Sequence, residues 1–237
     1  MKPLQVPVIL FLILAVIAAA VFMLSVGCQF LQAGFCVPVL DNYIYLGSGA
    51  IHLFLLSAAL LFLWRKDLRT TLASMGINLD IKNHILFTAI GLTALFTLLF
   101  WLQLVALVIG FNDQEKVVEK VSDLPILVLA LAVFIAPITE ELFFRAMLVP
   151  AAISFASSIF GNTPRALSAA SLTGIILAAF VFGILHLSYG SVVEIVGVFV
   201  IALLLGSIYR ISKSVVPCIA VHMIYNLLSI AVMKLMT

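Results

Sequence analysis

The sequence predicts an all-α fold: a polytopic bundle of seven to eight transmembrane helices enclosing a polar intramembrane cavity. Three observations carry this expectation. Of 237 residues, 65% are hydrophobic and only 9% are charged, where a soluble domain averages about 45–50% and about 25%. Mean hydropathy is +1.33. The apolar residues run in long, unalternating stretches, which suits helices that satisfy their own backbone rather than barrel strands. Too few polar side chains remain to cover a water-facing globule, so a soluble enzyme, a nucleic-acid binder and a disordered chain are excluded. The net charge of +2 is no basic patch. Residues 1–237 read as a single integral membrane domain.

A span needs about 20 mostly apolar residues. Breaking the chain at its charged or turn-rich stretches places spans over 6–27, 43–64, 84–110, 124–149, 166–187, 191–209 and 214–236. The first is read as retained rather than cleaved. Its tail, Leu24 to Cys28, faintly resembles a lipoprotein cleavage site, but Ser25 stands where that site has leucine. Cys28 and Cys36 share the following loop, and the spacing leaves open whether they pair. After the second span, the segment from Arg65 to Asn78 alternates charge with Leu68, Leu72 and Met75, as a short interfacial helix does. The run from Leu124 to Phe160 is too long for one span. It must tilt, kink at Pro137 or Pro150, or carry an extra embedded segment, which is why eight spans are allowed. Gly161-Asn162-Thr163-Pro164 and Tyr189-Gly190-Ser191 are turn signals on either side of the fifth span.

Orientation follows from the cations, which collect on the cytoplasmic side. With alternating spans, Lys2, Arg65, Lys66, Arg69, Lys82, Arg165, Arg210 and Lys213 share one side. Lys116, Lys120 and Lys234 face the other, diluted by Asp113, Glu115, Glu119 and Asp123. The expected location is a cell membrane with the N-terminus cytoplasmic.

Function is sought in the polar residues that a span should not contain. Glu140, Glu141 and Arg145 lie in the fourth span, His186 ends the fifth and Glu194 opens the sixth. His222 and Asn226 lie in the seventh and His52 in the second. Facing lipid, these groups would together cost on the order of 10 kcal/mol, so they must face each other or water. Glu141 and Arg145 are four apart, the spacing at which helical side chains meet. Glu140 is turned about 100° away and has no cation four residues off. One carboxylate is therefore committed and one is available as a base. If Gly161–Pro164 is the tip of a hairpin, Glu140 and His186 fall at nearly the same level. A tight turn after His186, inside the protein, would let His222 reach both and would put the cavity in the cytoplasmic half. His52 and His84 read as an embedded polar contact and a helix-start residue.

Glu140-Glu141-Leu142-Phe143-Phe144-Arg145, Phe182-Gly183-Ile184-Leu185-His186 and His222-Met223-Ile224-Tyr225-Asn226 match E-E-x-x-x-R, F-x-x-x-H and H-x-x-x-N, in that order. Together they resemble the CAAX protease and bacteriocin-processing (ABI) family of intramembrane peptidases, which includes the type II CAAX prenyl endopeptidases. The resemblance covers residues 123–236, the expected catalytic core, whereas 1–122 match only as generic spans. It implies hydrolysis by activated water, with no acyl-enzyme and no cofactor. Glu140 would be the general base, and His186 would hold and orient the water. His222 and Asn226 would stabilise the oxyanion, while Glu141 and Arg145 position the site. The implied partners are membrane lipids and a membrane-anchored, in some relatives lipidated, peptide or protein substrate; no nucleic acid is implied. A prokaryotic source is expected. The stretch between the first two motifs is long for the family, which bears on the substrate entrance.

Structural readings stand beside these. The two glutamates could be an ion-pair cluster, His186 an interfacial histidine, and His222 with Asn226 an interhelical hydrogen bond. Phe182 would shape the site by packing, and Glu194 would support the site or line the cavity. Glu140, His186 and His222 also form a possible zinc set, although H-E-x-x-H is absent. Rival functions are a membrane scaffold or bacteriocin self-immunity protein and a proton-coupled transporter. The last would call for related halves, and the embedded charges of the motifs all lie in the second half.

Overall fold

The computed structural model describes His52, residues 54–59 and residues 68–236 apart from 78, 79, 112, 125 and 162. The span over 6–27, both loop cysteines and most of the span over 43–64 lie outside the described residues. The described secondary structure is entirely helical. The elements are α1 (Leu68–Ser74), α2 (Ile81–Val108), α3 (Glu115–Ser122), α4 (Ile126–Ala130), α5 (Ala136–Glu141), α6 (Val149–Phe160), α7 (Pro164–Ile184), α8 (Val192–Ser212) and α9 (Val216–Leu235). Among the described residues five helices are long and apolar enough to cross a membrane. This is a multi-pass membrane protein.

Polar residues set where these helices start. Asp80 caps α2 through the Asn83 amide, Thr163 caps α7 through Ala166, and Ser191 caps α8 through Glu194. Each side-chain oxygen satisfies one of the amides left over at a helix start. Pro164 follows Thr163 at the first helical position, where no amide is needed. Gly161 turns α6 into α7 with a φ of +88°. The two helices of that hairpin then touch closely: a Cβ on Gly174 would lie 2.6 Å from the Ile153 backbone nitrogen.

The long run after Leu124 takes a form that tilt or kink alone did not anticipate. It continues as helix from Ile126 to Phe160 without a break, as α4, α5 and α6 joined by two π-helical stretches, Leu131–Ile135 and Leu142–Leu148. The expected end at residue 149 is therefore corrected to Phe160. Pro137 and Pro150 each follow one of these wide stretches by two residues. A proline ring clashes with the carbonyl four residues earlier and removes a hydrogen bond. Widening the preceding turn absorbs both effects while keeping the helix continuous.

The core lies around this run. Every residue from Glu141 to Val149 is buried, packed with Ala178, Ala179 and Phe182 of α7, Val198 and Ala202 of α8, and Val215. A second cluster joins Leu95 of α2, Ile201 and Leu205 of α8, and Val221 of α9. Cys218 is buried there, with its Sγ 3.3 Å from the Leu205 carbonyl. The expected interfacial helix forms in part as α1, with Met75 beyond its end buried. His84 takes the helix-start role expected of it, its Nε2 3.2 Å from Ser214 Oγ at the turn between α8 and α9.

Candidate active site

The long run carries the first motif across the junction of α5 and the second π-helical stretch. Arg145 Nε lies 2.8 Å from Glu141 Oε2, both side chains fully shielded. The approach angle is too poor for a hydrogen bond, so Nε meets Glu141 through charge, and the buried Nη2 has no hydrogen-bond partner among the described residues. Aromatic faces complete the shell of the guanidinium, at 5.1 Å from the Phe182 ring centre and 5.9 Å from that of Phe144. Weakly hydrated and planar, a guanidinium tolerates that environment better than an ammonium would.

His222 of α9 joins the two glutamates. Its Nδ1 is 2.9 Å from Glu141 Oε1, and its Nε2 is 3.9 Å from Glu140 Oε2. Glu141 is thus engaged on both sides, by Arg145 and His222. Glu140 keeps a partly open side chain that no hydrogen bond among the described residues ties down. The Glu141–Arg145 pairing expected from spacing is present.

Phe182 brings in the second motif. Its ring centre is 4.7 Å from that of His186 and 6.2 Å from that of His222. α7 ends at Ile184, and a 3₁₀ turn (Leu187–Tyr189) and Gly190, with φ +72°, reverse the chain within a few residues. This supplies the tight turn that the level of Glu140 and His186 required. His186 Nδ1 lies 2.9 Å from the Phe182 carbonyl. A carbonyl can only accept, so Nδ1 carries the proton and Nε2 presents a lone pair when the ring is neutral. The ring also stacks on Tyr189 at 5.8 Å.

Asn226 has a structural duty that its motif does not reveal. Its Nδ2 donates to the Ala132 carbonyl at 2.9 Å. In the π-helical register the Ala136 amide bonds Leu131, and the next amide, which would serve Ala132, belongs to Pro137 and does not exist. Asn226 fills that orphan acceptor from another helix. One of its amide hydrogens is thereby taken.

Glu194 does not join the motif cluster. It bonds the Gln114 side chain and lies within electrostatic range of Tyr189 and Tyr225. The Ser191 amide cap sits beside it under Asp113, which accepts from Ser191 Oγ at 2.7 Å and from the Val192 amide at 2.6 Å. Lys116 Nζ donates to the Gly190 carbonyl nearby. These contacts, 74 or more residues apart in sequence, pin the His186 turn to the segment after α2 and leave no local signal. His52 Nδ1 bonds Thr139 Oγ1 at 2.9 Å, one residue before Glu140. The embedded polar contact expected of His52 is therefore present, and its neighbour is a motif residue.

The set considered for zinc, Glu140, His186 and His222, does not converge in this arrangement. Among the described residues no three His, Cys, Asp or Glu side chains are close enough to share an ion. The groove of about 450 Å³ between α7 and α8 is lined by none of the motif residues.

No curated protein and no solved structure matches the chain. A family model, type II CAAX prenyl endopeptidase Rce1-like, matches residues 122–228. That segment starts at the end of α3 and takes in all three motifs, from Glu140 to Asn226, on the helices that bring them together. Over residues 122–228, a little under half of its length, the chain is therefore similar to the Rce1-like type II CAAX prenyl endopeptidases.

Proposed function

We propose that the protein is an intramembrane endopeptidase that hydrolyses a membrane-anchored peptide with a water activated by Glu140. The observation that carries the reading is the asymmetry of the adjacent glutamates, one locked between Arg145 and His222, the other open and 3.9 Å from His222 Nε2. Glu140 takes a proton from water as the oxygen attacks the scissile carbonyl, then passes it to the leaving amine. Such a base is typically worth about 10²–10⁴ in rate. His186, its Nδ1–H fixed on the Phe182 carbonyl, accepts the water's second hydrogen at Nε2 and orients it.

His222 stabilises the oxyanion from Nε2 when its ring carries both protons. A donor placed there contributes about 10²–10³ in rate. Asn226 keeps one amide hydrogen for the same oxygen, and its bond to Ala132 fixes where that hydrogen points. The reaction needs no bound metal. The cation-rich end of the bundle faces the cytoplasm, in a prokaryotic cell membrane.

The test uses the full chain in liposomes with quenched peptides, lipidated and plain, with and without a tight chelator. Cleavage that is lost in His222→Ala and unaffected by chelator supports the reading. Inhibition by chelator that added zinc reverses would replace it with the zinc mechanism. Cleavage that persists in His222→Ala would contradict the assigned oxyanion role.

A further inference from the structure

Away from the motif residues, α7 and α8 leave between them an open groove of about 450 Å³. It lies where α7 begins and α8 ends, the end of the bundle that also carries Arg165, Lys213 and Lys82. Its floor is polar. Arg210 reaches across from α8, its Nε donating to Ser171 Oγ at 3.1 Å, and Ser168 and Ser207 also line it. The hydroxyls of Ser168 and Ser207 donate back to their own helices. Ser171 accepts from Arg210 and keeps its own hydrogen.

Charge is what makes this groove selective. Arg210 is exposed, and no carboxylate among the described residues pairs with it; the ion pairs described there involve only Arg145, His222 and the two motif glutamates. Four guanidinium N–H groups and the Ser171 O–H are therefore free to meet an anion, and the guanidinium fork matches a phosphate in particular. The rim is apolar and open: Leu167 is 45% exposed, Leu172 62% and Ile211 68%. A soluble anion gains nothing from such a rim, whereas an acyl chain does. A purely apolar segment would cover the rim but leave the cation unanswered.

We propose that the Arg210–Ser171 groove is a binding site for an anionic membrane phospholipid. Its phosphodiester sits on Arg210 and Ser171, and its acyl chains lie along Leu167, Leu172 and Ile211. Basic recesses between transmembrane helices at the cytoplasmic face are where such headgroups are held. The site is separate from the motif cluster and does not depend on the peptidase reading.

The full chain would be purified in discs of mixed phosphatidylglycerol and phosphatidylcholine with identical acyl chains, and the lipid retained after detergent exchange counted by native mass spectrometry. Wild type should retain phosphatidylglycerol in preference, and inorganic phosphate should not displace it. Arg210→Gln should lower that preference about fivefold, the value of one cation near the headgroup plane. Ser207→Leu, which fills the groove without touching charge, should lower it as well. Lys213→Gln, at the same end but outside the groove, should leave it unchanged. Equal retention of both lipids by wild type would overturn the proposal. So would an equal loss in Arg210→Gln and Lys213→Gln, which would mean diffuse surface charge, or displacement by inorganic phosphate, which would mean a soluble anion site. Unfolding in phosphatidylcholine-only discs reports whether each variant is folded; Arg210→Gln suffices if Ser207→Leu is not.

Discussion

The helix α2 and the helical run through Glu140 are both long apolar segments, yet they are built for opposite surroundings. α2 has the higher mean hydropathy, 2.2 against 1.7. Only Gly91, Leu95 and Ala106 of its 28 residues are buried, while Phe100, Trp101 and Leu107 stand open. The Glu140 run carries two carboxylates, an arginine and two prolines, and it buries nine residues in succession from Glu141. In a membrane the solvent is itself apolar, so hydrophobicity marks what faces lipid, and polar groups mark what faces protein.

The comparison breaks most readily at Arg145. Arg145→Met leaves Glu141 buried and, of its two partners, keeps only His222; the expected loss is about 3–5 kcal/mol of stability, read by unfolding in mild detergent. A loss below about 1 kcal/mol would mean that water reaches the pair. Two phenylalanines sharpen the contrast at constant chemistry. Phe144 is 0% exposed and Phe100 is 64% exposed. Phe144→Ala should cost about 3–5 kcal/mol, whereas Phe100→Ala should stay within about 0.5 kcal/mol, since lipid replaces the lost contacts. Equal costs would show that α2 packs against a surface not described here.

A smaller effect is expected at Asp113, outside both helices. Although desolvation is the largest single influence and acts to raise its pKa, the Ser191 hydroxyl, the Val192 and Val193 amides and Lys116 together hold the carboxyl below its ordinary 3.8. Its contribution is therefore fully present above about pH 4 and is lost as pH falls through the lower folded value. Asp113→Asn should cost about 1 kcal/mol at neutral pH and flatten the acid limb of the unfolding profile. An unchanged acid limb would mean that Asp113 does not titrate with folding.

What was legible in the sequence follows the same division. Embedded charges stood out because they are costly, so Glu140, Glu141, Arg145 and His222 were visible, and the four-residue spacing correctly committed Glu141. Four of the expected spans appear near their anticipated limits for the same reason, and the remaining one runs on past 149 to Phe160. The π-helical stretches were not legible, because Pro137 and Pro150 signal only that a hydrogen bond is lost, not how the helix absorbs it. Asn226 looked like a site residue by motif alone; its bond to Ala132 depends on that π register. The Asp113–Ser191 and His52–Thr139 contacts bridge 78 and 87 residues, and no local pattern announces such a pairing.

The central claim is that two neighbouring glutamates have separate work, and it is tested by replacing each with its isostere. Glu140→Gln and Glu141→Gln would be compared with wild type for peptide cleavage and for melting temperature in the same liposomes. The account predicts that Glu140→Gln loses at least about a hundredfold in rate with its melting temperature unchanged, while Glu141→Gln melts markedly earlier. Cleavage retained in Glu140→Gln, or equal destabilisation of both variants, would contradict it.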